Sequence, residues 1–278
     1  MVRILSGETI ARRILGDLKR KKVRKTPSLL VVQVGKNPVS AKYVGEKEKV
    51  AKELGIIFRL VVLPANISQT ELEHQIQKIG KSPKVTGMIV QLPLPSALNT
   101  QAALDRIPLE KDVDVLSSAG FGAFALETLN ILPPTVHAVS LLLRKAKANL
   151  KGSNVVVLGA GRLVGLPLSL WLLQQGATLT VVNKQTKNLK SITQKADILI
   201  SGTGKRGLVR GNMVKKGAVV IDAGTSVEAG KSAGDVDFKT VSKKAGFITP
   251  VPGGVGPLTV ACLFQNLFLL TERGNRAI

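Results

Sequence analysis

Tyr43 and Lys47 are the pair whose type and spacing first suggest chemistry. They sit in SAKYVGEK behind Ser40, and residues four apart in a helix share a face, so phenol and amine point the same way. A lysine keeps its proton up to about pH 10.4, so base work at neutral pH needs burial or a nearby cation to lower its pKa. Taken alone, the pair reads equally well as a surface tyrosine beside a surface lysine. Gln91 follows the apolar run GMIV and precedes LPLP, and Asp112 and Asp114 lie in EKDVD. In isolation these read as a polar strand end and an acidic turn. A glutamine just outside the carboxyl end of a buried strand nevertheless stands where parallel sheets place ligands. Metal chemistry has little to build on. His74 and His137 are far apart and have no ligand-spaced partner, and a single cysteine, Cys262, excludes both an intramolecular disulfide and a multi-cysteine zinc site.

A second constellation is made of glycines. Gly159, Gly161 and Gly165 follow the run VVVL and precede a helix-like stretch. In that context glycines let a turn close and let main chain approach a pyrophosphate, which the helix N-terminus then attracts. The bland alternative is an ordinary glycine turn. Sites for NAD usually carry a carboxylate about 20 residues later to bind the ribose hydroxyls. Here TVVNKQT places Asn183 and Lys184 at that point, so a 2'-phosphate meets no repulsion and has a cation to pair with. That favours NADP, with NAD as the alternative. Lys184 also reads as a solvated surface lysine.

The elements that must hold these residues alternate. Helical patterns at 7–20, from Ser40 to about Leu54, at 68–80 and at 98–107 are interleaved with strands at 28–35, 57–64 and 87–95. Ser68 reads as a helix cap, and Gly55 sits where a helix C-cap belongs. Strand-helix-strand order implies a parallel sheet. The tandem prolines of LPPT at 132–135 block both helix and central strand and mark a domain boundary. A helix is expected from His137 to Asn149. Beyond it, NVVVLGAGRLVGLPL at 154–168 opens with a strand, a glycine turn and a helix continuing to Gln175, and strands at 178–184, 197–204 and 218–224 have the rhythm of a doubly wound sheet. FITPVPGGVGP at 247–257 is too rich in Gly and Pro for regular structure, and an apolar helix over 258–272 ends the pattern.

With 278 residues, the chain suits two compact domains sharing a cleft, divided at 1–135 and 136–278, with the last helix packing back on the first domain. Hydrophobic residues are 44% of the chain but aromatics only 3%, so the core must be aliphatic, as in buried parallel strands. The start, MVRILSGETI, has no signal-peptide h-region, and no apolar run approaches the roughly 18 residues of a bilayer span. The expectation is a cytoplasmic protein without membrane contact. The net charge of +22 raises nucleic acid as a rival partner. However, the basic run KRKKVRK at 19–25 is not interleaved with aromatics that could stack on bases. A generally basic surface suited to anionic small molecules is the better reading.

SxxYxxxK, VQLPLP at 90–95, EKDVD at 110–114, GDVDF at 234–238 and TPVPGGVGPLT at 249–259 occur in that order. By these motifs the chain resembles the methylenetetrahydrofolate dehydrogenase/cyclohydrolase family, nearly end to end. The resemblance implies an α/β protein of two domains. One is an N-terminal catalytic domain, the other a Rossmann-type doubly wound parallel-sheet dinucleotide domain, and a C-terminal helix packs back across both. It implies oxidation of methylenetetrahydrofolate and hydrolysis of the methenyl product, a folate substrate, and a homodimer formed through the dinucleotide domain. In this reading Lys47 is the catalytic lysine, Tyr43 lies against the pterin, Gln91 supports Lys47 and Asp114 hydrogen-bonds the pterin. Leu92, Pro93, Pro252, Gly253 and Gly254 line the substrate. Gly159, Gly161, Arg162, Leu163, Val164, Gly165, Asn183, Lys184, Gly202, Thr203, Gly224, Thr225, Gly256 and Thr259 line the cofactor.

The chain departs from the family pattern at several points. Ala160 and Gly161 replace the usual Arg-Ser, Asn183-Lys184 replaces His-Ser, Asp114-Val115 replaces Asp-Gly, and Pro133-Pro134-Thr135-Val136 replaces PCTP. Two other functions remain to be weighed: cyclohydrolase activity alone, with cofactor binding weakened by the altered turn, and a polyanion-binding protein on an inherited Rossmann fold.

Overall fold

The computed structural model describes residues 2–228 and 231–273. In chain order the elements begin β1 (Arg3–Ile4), α1 (Gly7–Arg20), β2 (Ser28–Val34), α2 (Pro38–Glu53), β3 (Ile57–Leu63), α3 (Gln69–Gly80) and β4 (Gly87–Val90). After α4 (Thr100–Leu104), α5 (Ser118–Ala125) and α6 (Pro134–Lys145) come β5 (Asn154–Leu158), α7 (Gly165–Gln174), β6 (Thr178–Val182), α8 (Leu189–Thr193), β7 (Ile198–Ser201) and β8 (Val219–Asp222). The chain closes with β9 (Ser226–Glu228), β10 (Lys231–Ala233), α9 (Phe238–Val241), β11 (Phe247–Ile248) and α10 (Val255–Arg273).

Two compact units result. One holds Arg13–Pro134 and everything from Val260 on; the other holds the residues up to Arg12 and Thr135–Thr259. This differs from the linear division at 135 in its first twelve residues. The reason is β1, which pairs in parallel with β11 and joins the later sheet.

The unit containing Lys47 is built on a parallel sheet of order β3-β2-β4. Its central strand, SLLVVQV, is buried at all seven positions, as expected for a strand covered on both faces. The strand expected over 87–95 stops at Val90, because Pro93 and Pro95 have no N–H to donate to a ladder. Ser68 caps α3 by accepting from the Glu71 N–H at 3.2 Å. Helix α5 was not foreseen: GFGAFA has two glycines, but Ser117 caps it by accepting from the Gly120 N–H. The tandem prolines also corrected the expectation that they block a helix. Pro134 is the first residue of α6, where a missing N–H costs nothing and φ is already helical.

The other unit has a six-stranded parallel sheet of order β1-β11-β8-β7-β5-β6. The order reverses at β5, between β6 and β7, and ligands bind outside strand ends at such a switch point. The segment 247–257 is more regular than its composition suggests, since it holds β11 and the first turn of α10. The antiparallel pairing of β9 with β10 was likewise not anticipated.

Helix α10 corrects one further expectation. The span Val255–Glu272 is long and apolar enough to cross a membrane by length and composition, with mean hydropathy 1.3, but 61% of it is buried in the protein. Its buried Asn266 is paired, Nδ2 donating to the carbonyls of Val113 (2.9 Å) and Leu132 (2.8 Å), whereas the buried Gln265 Oε1 has no hydrogen-bond partner.

Candidate active site

Lys47 projects from α2 toward Gln91, the residue after β4. Gln91 prolongs the sheet, its N–H donating to the Val32 carbonyl at 2.8 Å. Its side-chain Nε2 donates to the Leu92 carbonyl at 2.8 Å. That bond fixes the amide so that Oε1 faces the amine, and Lys47 Nζ donates to it at 3.0 Å. Ser40, buried at the start of α2, also donates to the Leu92 carbonyl, at 3.4 Å. Tyr43 is half-buried one turn before Lys47 on the same helix. The Leu92–Pro93 bond is cis.

The electrostatics set up a poised acid–base pair. Burial holds the Lys47 ammonium below the usual lysine range, opposed by the negative charges of Asp114 and Glu46. Burial pushes Asp114 up to about 6, opposed by Lys47 and reinforced by Asp112. Desolvation is what lets the lysine give up its proton nearer neutrality, against the pull of the Asp114 carboxylate. The signs yield a test. Asp114 raises the Lys47 pKa, so Asp114→Asn lets the lysine deprotonate at lower pH. The rising limb of any reaction using neutral Lys47 should move toward acid in a kcat/KM profile, whatever the absolute rate; a limb that stays put or moves toward alkali would contradict the coupling.

The two aspartates of EKDVD have separate tasks. Asp112 is 1% exposed and accepts from Ser117 N (2.9 Å), Ser117 Oγ (2.6 Å) and Leu116 N (3.3 Å), so it anchors the start of α5. Val115 follows Asp114 with φ +58° and a fully buried side chain. A β-branched residue in the left-handed region is strained, and its burial is what can hold it there. Cys262 is buried, and burial pushes its thiol up to about 12, the environment of a structural rather than a reactive cysteine.

The Pro-Gly-Gly loop is held from a place sequence reasoning missed. The first N–H groups of α1, from Gly7 and Glu8, both donate to the Gly253 carbonyl, at 2.9 and 3.2 Å. A Cβ at Gly7 would stand 1.8 Å from the Gly254 carbonyl oxygen, and Gly253 itself has φ +95°. The only sequence signal was a glycine opening a helix. Pro252 follows a cis bond. Gly256 lies in the first turn of α10 with open space around it, and Thr259 Oγ1 donates to the Val255 carbonyl of its own helix at 3.1 Å.

The glycine turn at the end of β5 is interlocked with the end of β7. Gly159 has φ +95°; a Cβ there would stand 2.8 Å from the Gly202 carbonyl oxygen, one at Gly165 would stand 1.8 Å from the Gly159 oxygen, and one at Gly202 would stand 2.4 Å from Val164 Cγ1. Gly161 differs, with nothing near its Cβ position. No side chain caps α7, so its N-terminus is presented to the turn. Glycines that a Cβ would fill and an uncapped helix end fit a dinucleotide pyrophosphate. Arg162 and Leu163 are exposed in the turn and Val164 is half-buried. Gly159 N donates to the Val182 carbonyl at 2.8 Å, which places the turn beside Asn183 and Lys184. Asn183 Oδ1 accepts from Gln185 N at 3.0 Å, a local turn that orients the exposed Lys184. Gly224 N donates to Asp222 Oδ1 at 3.0 Å, and Thr225 is exposed next to it. A cavity of about 230 Å³ nearby is lined by Asp222, Gly234, Val236, Phe238, Thr249 and Val251 among others. A second, of about 310 Å³, includes Asn154 at the start of β5, the end away from the glycine turn.

Together these features define a class: an α/β protein pairing a dinucleotide-binding unit with a unit that carries a lysine–carboxamide–carboxylate acid–base site. The particular family follows from comparison. Residues 5–114 match the tetrahydrofolate dehydrogenase/cyclohydrolase catalytic domain and residues 133–275 its NAD(P)-binding domain. The "Bifunctional protein FolD" of Lactobacillus helveticus is 41% identical over 99% of both chains, and that of Thermodesulfovibrio yellowstonii is 42% identical over 99% of this chain and 98% of its own. Among solved structures, the bifunctional enzyme FolD, methylenetetrahydrofolate dehydrogenase/cyclohydrolase, of Campylobacter jejuni superposes with a TM-score of 0.94 at 38% identity, over 99% of this chain and 100% of that one. The Trypanosoma brucei methylenetetrahydrofolate dehydrogenase-cyclohydrolase (FolD), complexed with NADP cofactor and inhibitor, gives 0.93 at 36% identity, over 99% of each chain. The chain belongs to the tetrahydrofolate dehydrogenase/cyclohydrolase family.

Proposed function

We propose that this protein oxidises 5,10-methylenetetrahydrofolate to the methenyl form with NADP and hydrolyses that product to 10-formyltetrahydrofolate. The carrying observation is the desolvated Lys47 held at 3.0 Å by Gln91 beside Asp114. A bound dinucleotide supplies the acceptor for the hydride leaving the methylene carbon. That transfer releases no proton, so the protein's task is to hold the carbon and Tyr43 to orient the pterin. Hydrolysis is where the chain does acid–base work. Neutral Lys47 takes a proton from the water that adds to the methenyl carbon, the carbon–N5 bond breaks, and N5 regains a proton. Gln91 keeps the amine aimed, and Asp114 hydrogen-bonds the pterin.

Support for NADP is the absence of a carboxylate at the end of β6, where Lys184 is exposed beside the glycine turn. In an assay of methenyl formation by absorbance, run in parallel with both oxidised cofactors, turnover is expected with NADP in preference to NAD. Lys184→Ala should raise the KM for NADP about tenfold, the order of one charge-assisted contact, and leave that for NAD near its starting value. Equal effects on both would remove Lys184 from cofactor choice, and no turnover with either would defeat the dehydrogenase half.

The product is a one-carbon donor of the kind purine biosynthesis consumes, and a cytoplasmic setting is the natural one. A homodimer is supported by the edge strand β6, where Val181 is 41% exposed, and by Leu166 and Leu173, exposed on α7, which packs against β6. The mass in solution tests it.

A further inference from the structure

The ends of β7 and β8 are tied together by two buried carboxylates that no step of the chemistry above uses. Asp235 is 0% exposed and Asp222 2%. One oxygen of Asp235, Oδ2, accepts three hydrogen bonds: from Ser201 Oγ at 2.7 Å, from the Thr203 N–H at 2.7 Å and from Thr203 Oγ1 at 2.9 Å. Its other oxygen, Oδ1, is buried without a hydrogen-bond partner and lies against Gly224, where a Cβ would stand 2.1 Å away. Asp222 secures the segment that carries Asp235. Its Oδ1 accepts from Gly224 N (3.0 Å) and Asp235 N (3.1 Å), and its Oδ2 accepts from Val236 N (2.9 Å).

Core stability alone does not call for this arrangement. A buried carboxylate is costly, and an apolar side chain filling the same space would serve a core as well or better. What an apolar side chain cannot do is accept the Thr203 N–H, which lies past the last residue of β7. The loop so held also touches the glycine turn, since Gly202 packs directly against Gly159 and Val164. A shift at Thr203 is therefore passed to the turn, because close-packed main chain has no slack to absorb it.

We propose that Asp235 is a positioning residue for the dinucleotide: by gathering Ser201 and Thr203 on one carboxylate oxygen it fixes the Gly202–Thr203 loop, and through it the glycine turn. This rests on the dinucleotide reading of that turn.

The test is Asp235→Asn in the full chain, with two readouts. One is titration of the reduced dinucleotide, followed by its fluorescence. The other is hydrolysis of the methenyl substrate without dinucleotide, which uses Lys47 in the other unit. The neutral amide weakens bonds that were charge-assisted, so the dissociation constant should rise about tenfold while hydrolysis stays within about twofold. A purely structural role would lower both together, and that result overturns the proposal. So does a folded variant that binds within about twofold of wild type. If wild type itself fails to bind, the dinucleotide reading fails instead. Should Asp235→Asn not fold, Ser201→Ala removes one donor from the same oxygen and decides the matter. About threefold weaker binding with unchanged hydrolysis supports the positioning role, and unchanged binding overturns it.

Discussion

Replacing Lys47 by Met is expected to reduce hydrolysis of methenyltetrahydrofolate by about a thousandfold, within the range that a positioned general base supplies. Methionine has similar length and no charge, so the site keeps its shape. Burial already works against the Lys47 ammonium, and an apolar replacement there should not lower the melting temperature appreciably. Folate binding should persist, because Tyr43 and Asp114 remain. Asp114 should titrate above its present value of about 6, since Lys47 is the charge that lowers it. Dehydrogenation in the same sample should fall less than hydrolysis, because hydride transfer moves no proton. The decay of methenyl absorbance measures the main effect, and hydrolysis within a few-fold of wild type would exclude Lys47 from the mechanism.

The second large effect separates two glycines of one motif. At Gly165 a Cβ would stand 1.8 Å from the Gly159 carbonyl oxygen and 2.6 Å from its carbon. No rotamer relieves a clash with main chain, so Gly165→Ala must push the turn away from α7. The expected cost is about 2–4 kcal/mol of stability, the scale of a buried overpacking error. Dinucleotide binding should fall about a hundredfold or more, since displaced N–H groups no longer meet the pyrophosphate. Gly161 has open space and no left-handed φ. Gly161→Ala should therefore leave stability within about 0.5 kcal/mol of wild type, and any loss of binding there would mean that its bare backbone serves the ligand. Thermal melts and a dinucleotide titration on both variants decide it, and equal behaviour of the two would contradict the packing.

What the sequence discloses and what it hides follow the range of the interactions. Lys47, Gln91 and Asp114 are legible because each is marked by its neighbours: a helix face, a proline-stopped strand, an acidic turn. The parallel strands show as aliphatic runs for the same reason. The roles of Gly7 and Asp235 are not legible, although Asp235 stands in the GDVDF motif. Gly7 matters for a carbonyl at Gly253, and Asp235 for a loop at 201–203, neither near it in sequence. Strand β1 is two residues long and exists only because β11 offers an edge. The prolines at 133 and 134 misled because their meaning depends on position: a proline forbidden inside a helix is welcome as its first residue. The resemblance assigns Asn183 and Thr259 to the cofactor; the Asn183 side-chain oxygen accepts within its own turn and the Thr259 hydroxyl donates within its own helix.

The way the chain is shared between units bears on how it is made. The sheet of β2, β3 and β4 has emerged from a ribosome before α6 is translated, yet its last covering piece is α10. At Gly87 in β4, a Cβ would stand 2.4 Å from Leu267 Cδ1 and 2.6 Å from Val113 Cγ1, so the bare position is shaped to receive a side chain translated 180 residues later. Synthesis therefore leaves the nascent catalytic half with an unsealed apolar seam until α10 is made, and a premature stop before α10 should yield a product prone to aggregate.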